Sequence, residues 1–590
     1  MTDQAVEADP RAVRRAAVLR LVTGLAQGLL LYWLYQADEF KRWPDGQPMV
    51  YAAFLLAFLF APFVVLAGLS TMRWPALSAW KGLVVLLAAG VGAYGVWSGD
   101  PSASGVNGLG PLSFLGVAAL IFIGHHLVEP ADIERRPIAR FASYFDITWK
   151  HGVQLALAVG FTGAFWLLLW LAAVLFKLIG VGIIETIIQT KLFAIPATTT
   201  IFAAAVQLTD VRAGLVRGVR TVALTLLAWL LPLMVLIAGA FLLTLPFTGL
   251  EPLWKTRSAT ASLLVAAAFL TLLTNAAYQD GNEATAVVLK WAARLAGLLL
   301  VPIVALAAYG LSLRIGQHGL STDRIIAAAC VLVAAGYAIG YAVAAVRPGP
   351  WLKTLETTNI GMAFVVIVVL LALVTPLADP RRLSVNDQVA RLNAGKVKAE
   401  AFDFDFLRFR SGRFGLDALK RLAAGPDAFV AKAAKASLAR LAAGPAPGKA
   451  EPMADVIVYP KGRTLPNGFE RLADLSDSPC RFAAKPCSAL LLDIDADGSE
   501  EVLLSSGSML DVFGMREGRW KKIGYASSPC GRVADIAGVL ARSGEAATVE
   551  PSPLRDVVIG DVRMELRPQG DACNVTAEEA LASRPKPRPR

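Results

Sequence analysis

The run TTNIGMAFVVIVVLLALVTPL, residues 357–377, is the last long apolar stretch of the chain, and the composition differs in kind on its two sides. At ~1.5 Å of rise per helical residue, roughly 20 such residues match a hydrocarbon core about 30 Å thick. The stretch therefore reads as a membrane span. Upstream, apolar runs recur between short polar loops; downstream, charged residues, glycine and proline take over.

Working back from that span, further runs at 17–35, 49–69, 76–97, 108–128, 153–176, 193–208, 221–247, 259–277, 286–313 and 325–346 bring the expected count to about eleven. The run at 193–208 is the weakest, being short for a crossing, and its loss would invert everything after it. Composition agrees: 55% of the 590 residues are hydrophobic and 17% charged, with mean hydropathy +0.54, against about 25% charged in soluble domains. The chain reads as a polytopic α-helical membrane protein with a C-terminal soluble α+β domain. Its expected parts are a cytoplasmic segment at 1–16, a transmembrane domain at 17–377, a helical juxtamembrane region at 378–445, a small α+β domain at 446–575, and a basic, proline-rich disordered tail at 576–590.

Charge sets an expected orientation. Arg11, Arg14 and Arg15 precede the first span, and the bulky residues after it offer no signal-peptidase site, so it reads as uncleaved with its basic end in the cytoplasm. Loops assigned to that side hold Arg73, Arg135, Arg136, Arg140, Lys150, Arg212, Arg217, Arg220, Arg347 and Lys353, a modest excess over Lys41, Arg42, Lys177, Lys191, Lys255, Arg257 and Arg314 opposite. An odd number of crossings then places the soluble domain outside, in the periplasm of a bacterial inner-membrane protein. The net charge of +11 lies mostly in these loops and the tail, with no basic helix face interleaved with aromatics, so no nucleic-acid partner is expected.

Cysteine placement points the same way. Cys330 falls within a span, whereas Cys480, Cys487, Cys530 and Cys573 all lie in the soluble end, where an oxidising compartment allows pairing. Of three possible pairings, the local ones, Cys480 with Cys487 and Cys530 with Cys573, are preferred.

Polar residues within spans are costly and so informative. His125 and His126 at the end of the fourth span, with Lys150 and His151 at the start of the fifth, read as interfacial anchors, with proton handling as the sharper alternative. Glu129, Asp132, Glu134 and Asp146 read as loop residues, which leaves no buried carboxylate to mark an ion-coupled pump. Lys290 and Arg294, one turn apart, read as snorkelling cations or as a lipid-phosphate or substrate contact. Gln27, Gln154, Asn275 and Asn359 are expected to bond to neighbouring helices, and Gly336 and Gly340 to form a close-packing face.

Beyond the last span, residues 384–393 read as a helix capped by Ser384, the alternation of Phe402, Phe404, Phe406 and Phe409 with charged residues as an extended segment, and 415–443 as helical. From Ala454 the pattern becomes short strands, DVIVYP, SALLLDI, EVLLSS, DVFGM, RWKKIGY, RDVVIGD and VRMELRP, expected to form a small antiparallel sheet with helices near 469–475 and 533–541.

The most specific motif lies between two of these strands. Asp493, Asp495, Asp497, Ser499 and Glu501 place oxygens at alternate positions around Gly498, as calcium requires. Position twelve is Leu504 and the flanks are strands, so the loop is no EF-hand; it resembles the strand-loop-strand calcium loops of β-propellers, in a single copy. The competing reading is a metal-free aspartate-rich turn. No nucleophile elbow, P-loop, zincin or kinase fingerprint appears, and no catalytic residue is assigned.

Four stretches, RLVTGLAQGLLLYWLYQ (20–36), FTGAFWLLLWLAAVLFKLIGVG (161–182), LSLRIGQHGLSTDRI (311–325) and DPRRLSVNDQVARLNAGKVKAEAFDFDFLRFRSGRFGLDAL (379–419), resemble a bacterial family of integral membrane proteins known as domain of unknown function 4153. The resemblance implies an envelope protein and carries no catalytic or binding residues. Three function classes follow: an envelope protein whose outer domain binds a protein partner or envelope polymer, a transporter or channel with that domain as accessory, and a membrane enzyme acting on a lipid-linked substrate.

Overall fold

In the computed structural model, the residues described are 10–101, 109–251, 253, 258–281, 285–442, 456–460, 462–466, 469, 488–495, 497–506, 509–516, 519–527, 557–559 and 562–564. The chain divides into two compact units, Met1–Leu438 and Ala439–Arg590.

Among the described residues of the first unit, eleven helices are long and apolar enough to cross a membrane. They are α1 (Pro10–Glu39), α2 (Pro48–Gly68), α3 (Trp74–Ser98), α4 (Pro111–Glu134), α5 (Phe141–Leu178), α7 (Lys191–Val211), α8 (Ala213–Thr248), α9 (Ala259–Tyr278), α10 (Val287–His318), α11 (Thr322–Val346) and α12 (Thr354–Leu373), with the short α6 (Ile183–Gln189) between α5 and α7. Each sequence run maps onto one of them. The weak run at 193–208 extends to a 21-residue helix, long enough to cross. Leu178 and Phe247, 78% and 89% exposed, are apolar surface of a kind that lipid, not water, accommodates.

Of the apolar cores among the described residues of the unit, two are the most extensive. One joins α2, α3 and α4 around Leu56, Val84, Val117 and Leu120. The other joins α8 to α11 around Leu231, Leu270, Ala293, Leu300 and Tyr341. Without a strong hydrophobic drive between helices in lipid, close backbone approach and interhelical hydrogen bonds supply the specificity. Gly336 and Gly340 lie against Met362 and Thr358 of α12. Asn359 donates to Asn275 Oδ1 at 2.8 Å and accepts from the Tyr341 hydroxyl at 3.0 Å. Gln27 donates to the Leu59 carbonyl at 2.9 Å.

The juxtamembrane segment departs from its sequence reading in three places. The helix after the last span, α13, is Pro380–Asn393, begun by Asp379, whose carboxylate accepts from Arg381 N at 2.7 Å, with proline in the first turn. Ser384 lies within it and donates to the Leu320 carbonyl at 2.9 Å. The phenylalanine alternation is not extended: Phe404–Phe409 is a helix (α14), because Asp403 caps it by accepting from Phe406 N at 2.8 Å. The region 415–443 is two helices, α15 (Gly412–Ala423) and α16 (Ala428–Ala442), parted at Gly425-Pro426.

In the second unit, β1 (Ile457–Tyr459), β2 (Ser488–Leu492), β3 (Glu501–Ser506), β4 (Met509–Arg516) and β5 (Arg519–Ser527) form one sheet in that order, and β6 (Val557–Ile559) pairs with β7 (Val562–Met564). The sheet is antiparallel except that β1 runs parallel to β2, contrary to the all-antiparallel expectation. Its alternate inward residues Ala489, Leu491, Val502, Leu504 and Phe513 pack on Phe469. The four late cysteines, the tail, and most of both expected helices lie outside the described residues.

Candidate functional site

Glu129 and Asp132 are not loop residues, and this is the main correction to the sequence reading. α4 continues past Val128 through Pro130 to Glu134, where Arg135 adopts a left-handed conformation (φ 57°) and ends it. Asp146 likewise lies inside α5. The continuation carries Glu129 round to the face of His125, four residues earlier.

His125, His126, Glu129 and His151 are all buried, Glu129 to 1% exposure, so they are not anchors at an aqueous interface. His125 Nε2 lies 3.0 Å from Glu129 Oε2 and His151 Nδ1 lies 3.6 Å from the same oxygen. Thr71, between α2 and α3, donates its hydroxyl to Glu129 Oε1 at 2.5 Å. The hydroxyl on one oxygen and the imidazole beside the other are the surroundings of a carboxylate.

The partners fix the ring protons. Trp80 Nε1, a donor only, lies 3.2 Å from His125 Nδ1, so His125 carries its proton on Nε2. The Phe122 carbonyl, an acceptor only, lies 2.6 Å from His126 Nδ1, so His126 has its lone pair on Nε2. That nitrogen lies 3.2 Å from His151 Nδ1, which therefore donates. His151 Nε2 is left with a lone pair and, among the described residues, no partner, whereas His125 Nε2–H and Glu129 Oε2 face each other at 3.0 Å.

His125, His126 and His151 close one end of a cavity of about 610 Å³, with Glu129 behind them and outside its lining. Its walls are otherwise apolar: Phe60, Phe63 and Val64 from α2, Leu115, Ala118, Ala119 and Phe122 from α4, Leu155 from α5, and Phe202 and Val206 from α7. Gln154 joins the polar end and donates to the Val206 carbonyl at 3.3 Å. A second cavity of about 330 Å³, edged by Asn275 and Asn359, shares Phe122, Ile123 and His126 with the first.

A charge network braces the same helices. The buried Arg20 of α1 reaches the Leu66 carbonyl at 3.0 Å, Gln207 Oε1 at 2.6 Å, Ser70 Oγ at 3.1 Å and Asp210 at 2.9 Å. Lys150, next to His151, also pairs with Asp210, at 3.1 Å.

The sites named from sequence fall elsewhere. Asp493, Asp495 and Glu501 offer oxygens within 4.8 Å of one another. Glu501 accepts from Ile494 N at 3.0 Å and Asp493 from Gly498 N at 3.0 Å, while Asp497 accepts from Ser499 N at 2.8 Å. The loop thus has the hydrogen bonds of an Asx turn together with a convergent acidic set. Lys290 lies 5.7 Å from the Trp351 ring and Arg294 5.7 Å from the Trp291 ring, and neither lines the 610 Å³ cavity. The signal that sequence reasoning passed over is that three of the four histidines fall within residues 125–151, with Glu129 one helical turn from His125.

Among known proteins, no curated protein and no solved structure matches the chain. The family described as Domain of unknown function (DUF4153) matches residues 50–424, from α2 through α15 and including the whole His/Glu cluster. The chain belongs to the DUF4153 family and is a multi-pass membrane protein within it.

Proposed function

We propose that the membrane domain is the working part of this protein and that it binds an amphipathic molecule drawn from the bilayer, tail along the apolar walls and head against the His/Glu cluster. One observation carries this reading: a cavity of about 610 Å³, apolar except where His125, His126, His151 and Gln154 close it. That is the size and polarity of ligand sites generally. Buried ionisable side chains within a span are costly to keep and point to function. Replacing Ala119, on the cavity wall, by tryptophan fills the site without touching the cluster. Native mass spectrometry of protein extracted from lipid nanodiscs is expected to show a retained amphiphile in the parent chain and at least tenfold less in Ala119→Trp. Equal retention would remove the cavity as its site.

Transport is favoured over anchoring by the second cavity, since the two spaces share Phe122, Ile123 and His126 as wall residues. The class in which the soluble domain does the work rests on motif content alone.

The proposed setting is a bacterial inner membrane, with the N-terminus cytoplasmic and the soluble domain periplasmic. Loop charge, the odd number of spans and the confinement of four cysteines to the C-terminal end support it. We also propose that Asp493, Asp495, Asp497, Ser499 and Glu501 hold calcium as a structural staple, and that the four cysteines pair locally. A protease added outside intact spheroplasts is expected to cleave the soluble domain, more slowly with millimolar calcium, and the protection should vanish in Asp493→Ala. Protection of the domain from outside would reverse the sidedness; cleavage indifferent to calcium would leave the loop a plain turn.

A further inference from the structure

A groove of about 1090 Å³ runs between α5, α7 and α8, separate from the histidine-lined cavity, and its lining is apolar but for Thr209 and one charged residue. Ala156, Gly160 and Ala164 of α5 recur every four residues and so share one helix face, which forms one wall. Leu208 of α7 lies on the other, and Arg212, in the turn that joins α7 to α8, stands at the end. The small side chains are what leave the space: a Cβ on Gly160 or on Gly214 would meet nothing within 4 Å. The groove opens away from the bundle, with Phe161, Leu208 and Leu215 about half exposed, as surfaces that face lipid are.

The Arg212 end carries a surplus of positive charge. Arg212 is exposed and pairs with no carboxylate among the described residues. Asp210, two residues earlier, is already shared by Arg20 at 2.9 Å and Lys150 at 3.1 Å. Asp146 is taken by Arg220 at 2.8 Å, and Arg217, one turn before it, is exposed. A guanidinium in the turn between two spans sits at the depth of lipid head groups, where its fork of N–H donors matches a phosphate. Basic recesses between spans are the form that recognition of anionic head groups takes.

We infer that this groove holds an anionic glycerophospholipid, with an acyl chain against Ala156, Gly160 and Ala164 and the phosphate on Arg212. The inference is independent of what the histidine-lined cavity binds. A zwitterionic head group brings an ammonium to a surface already in surplus of positive charge and is disfavoured. A helix from a second copy of the chain also fits a wall of small residues. A two-fold dimer about an axis normal to the membrane, however, would set the Arg212 turns of both copies at one depth on facing surfaces, like charge toward like.

The test places the full chain in nanodiscs of equal parts phosphatidylcholine and phosphatidylglycerol with identical acyl chains, extracts it in mild detergent, and reads the retained lipid by native mass spectrometry. Phosphatidylglycerol is expected to exceed phosphatidylcholine about fivefold among the lipid retained, the size of one arginine contact with an anionic lipid. Arg212→Gln is expected to bring the ratio close to one, and Arg212→Lys, which keeps the charge, to preserve most of it. Gly160→Phe fills the groove where there is open space and is expected to lower the retained phosphatidylglycerol severalfold. Ala119→Trp, in the histidine-lined cavity, and Arg140→Gln, at an arginine whose side chain is 77% exposed, should leave the ratio unchanged. Parity in the parent chain, or a ratio that Arg212→Gln does not move, would overturn the inference. An equal fall in Arg140→Gln would overturn it in favour of a diffuse attraction of the whole basic face. A dimer mass that Gly160→Phe dissociates would overturn it too, the groove then being an interface between copies.

Discussion

Arg20→Met is expected to lower the stability of the membrane domain by about 3–5 kcal/mol, read as a fall in the thermal unfolding midpoint of the purified protein in detergent. The size follows from what the guanidinium does. It is 1% exposed and bonds to four groups on α2, α7 and the turn after α2. Methionine fills similar volume and satisfies none of them. Gln207 and the Leu66 carbonyl lose their donor, and Asp210 keeps only Lys150, which is itself about a third exposed. Arg140 provides the contrast: its side chain is 77% exposed beside Glu134, and Arg140→Ala should cost less than about 1 kcal/mol. A loss for Arg20→Met no larger than that for Arg140→Ala would show that the network does not brace the bundle.

The second large effect is expected at the seam that the same network closes. A Cβ on Gly24 would lie 2.6 Å from Ala203 Cβ and 2.7 Å from the Thr199 carbonyl, and one on Gly28 would collide with Pro196 and Thr199. Gly24 and Gly28 thus form a small-xxx-small face of α1 on which α7 rests. Because the nearest atoms include backbone, the strain has no flexible side chain to absorb it. Gly24→Leu is expected to cost about 3 kcal/mol or more. It should also abolish retention of the amphiphile, since α7 carries Phe202 and Val206 of the cavity wall. Gly163→Leu, on an exposed face with nothing within 4 Å, should leave both readouts nearly unchanged. Full stability and retention in Gly24→Leu would contradict the packing of α1 on α7.

These effects show what a one-dimensional pattern carries and what it does not. Spans are legible because a run of about 20 apolar residues reports a length that lipid imposes locally. The strands of the second unit are legible from their alternation, whereas the parallel placement of β1 depends on a chain return that periodicity does not record. Phe404–Phe409 misleads because FDFDF satisfies a period of two, while the deciding term is one capping carboxylate, Asp403. Glu129 misleads for a related reason. Proline and four charges in residues 129–135 have the composition of a loop, but the helix bends its rules at Pro130 and carries the carboxylate inward.

The site itself was legible only in fragments. His125 and Glu129 are one turn apart, but His151 reaches them through the packing of α5 beside α4, and Thr71 through the turn between α2 and α3. Which ring nitrogen holds each proton depends on Trp80 and Phe122, contacts that no spacing rule supplies. The acidic loop, by contrast, is written in consecutive residues, and its oxygens do converge within one turn.

The most direct test of the central claim is the density inside the cavity when the chain is imaged by electron cryomicroscopy in nanodiscs made from its native membrane lipids. The expected result is an elongated feature running between Phe60, Leu115 and Phe202 and ending against His126, His151 and Gln154. An empty cavity, or one collapsed by its own side chains, would contradict the proposal that the membrane domain holds an amphiphile there.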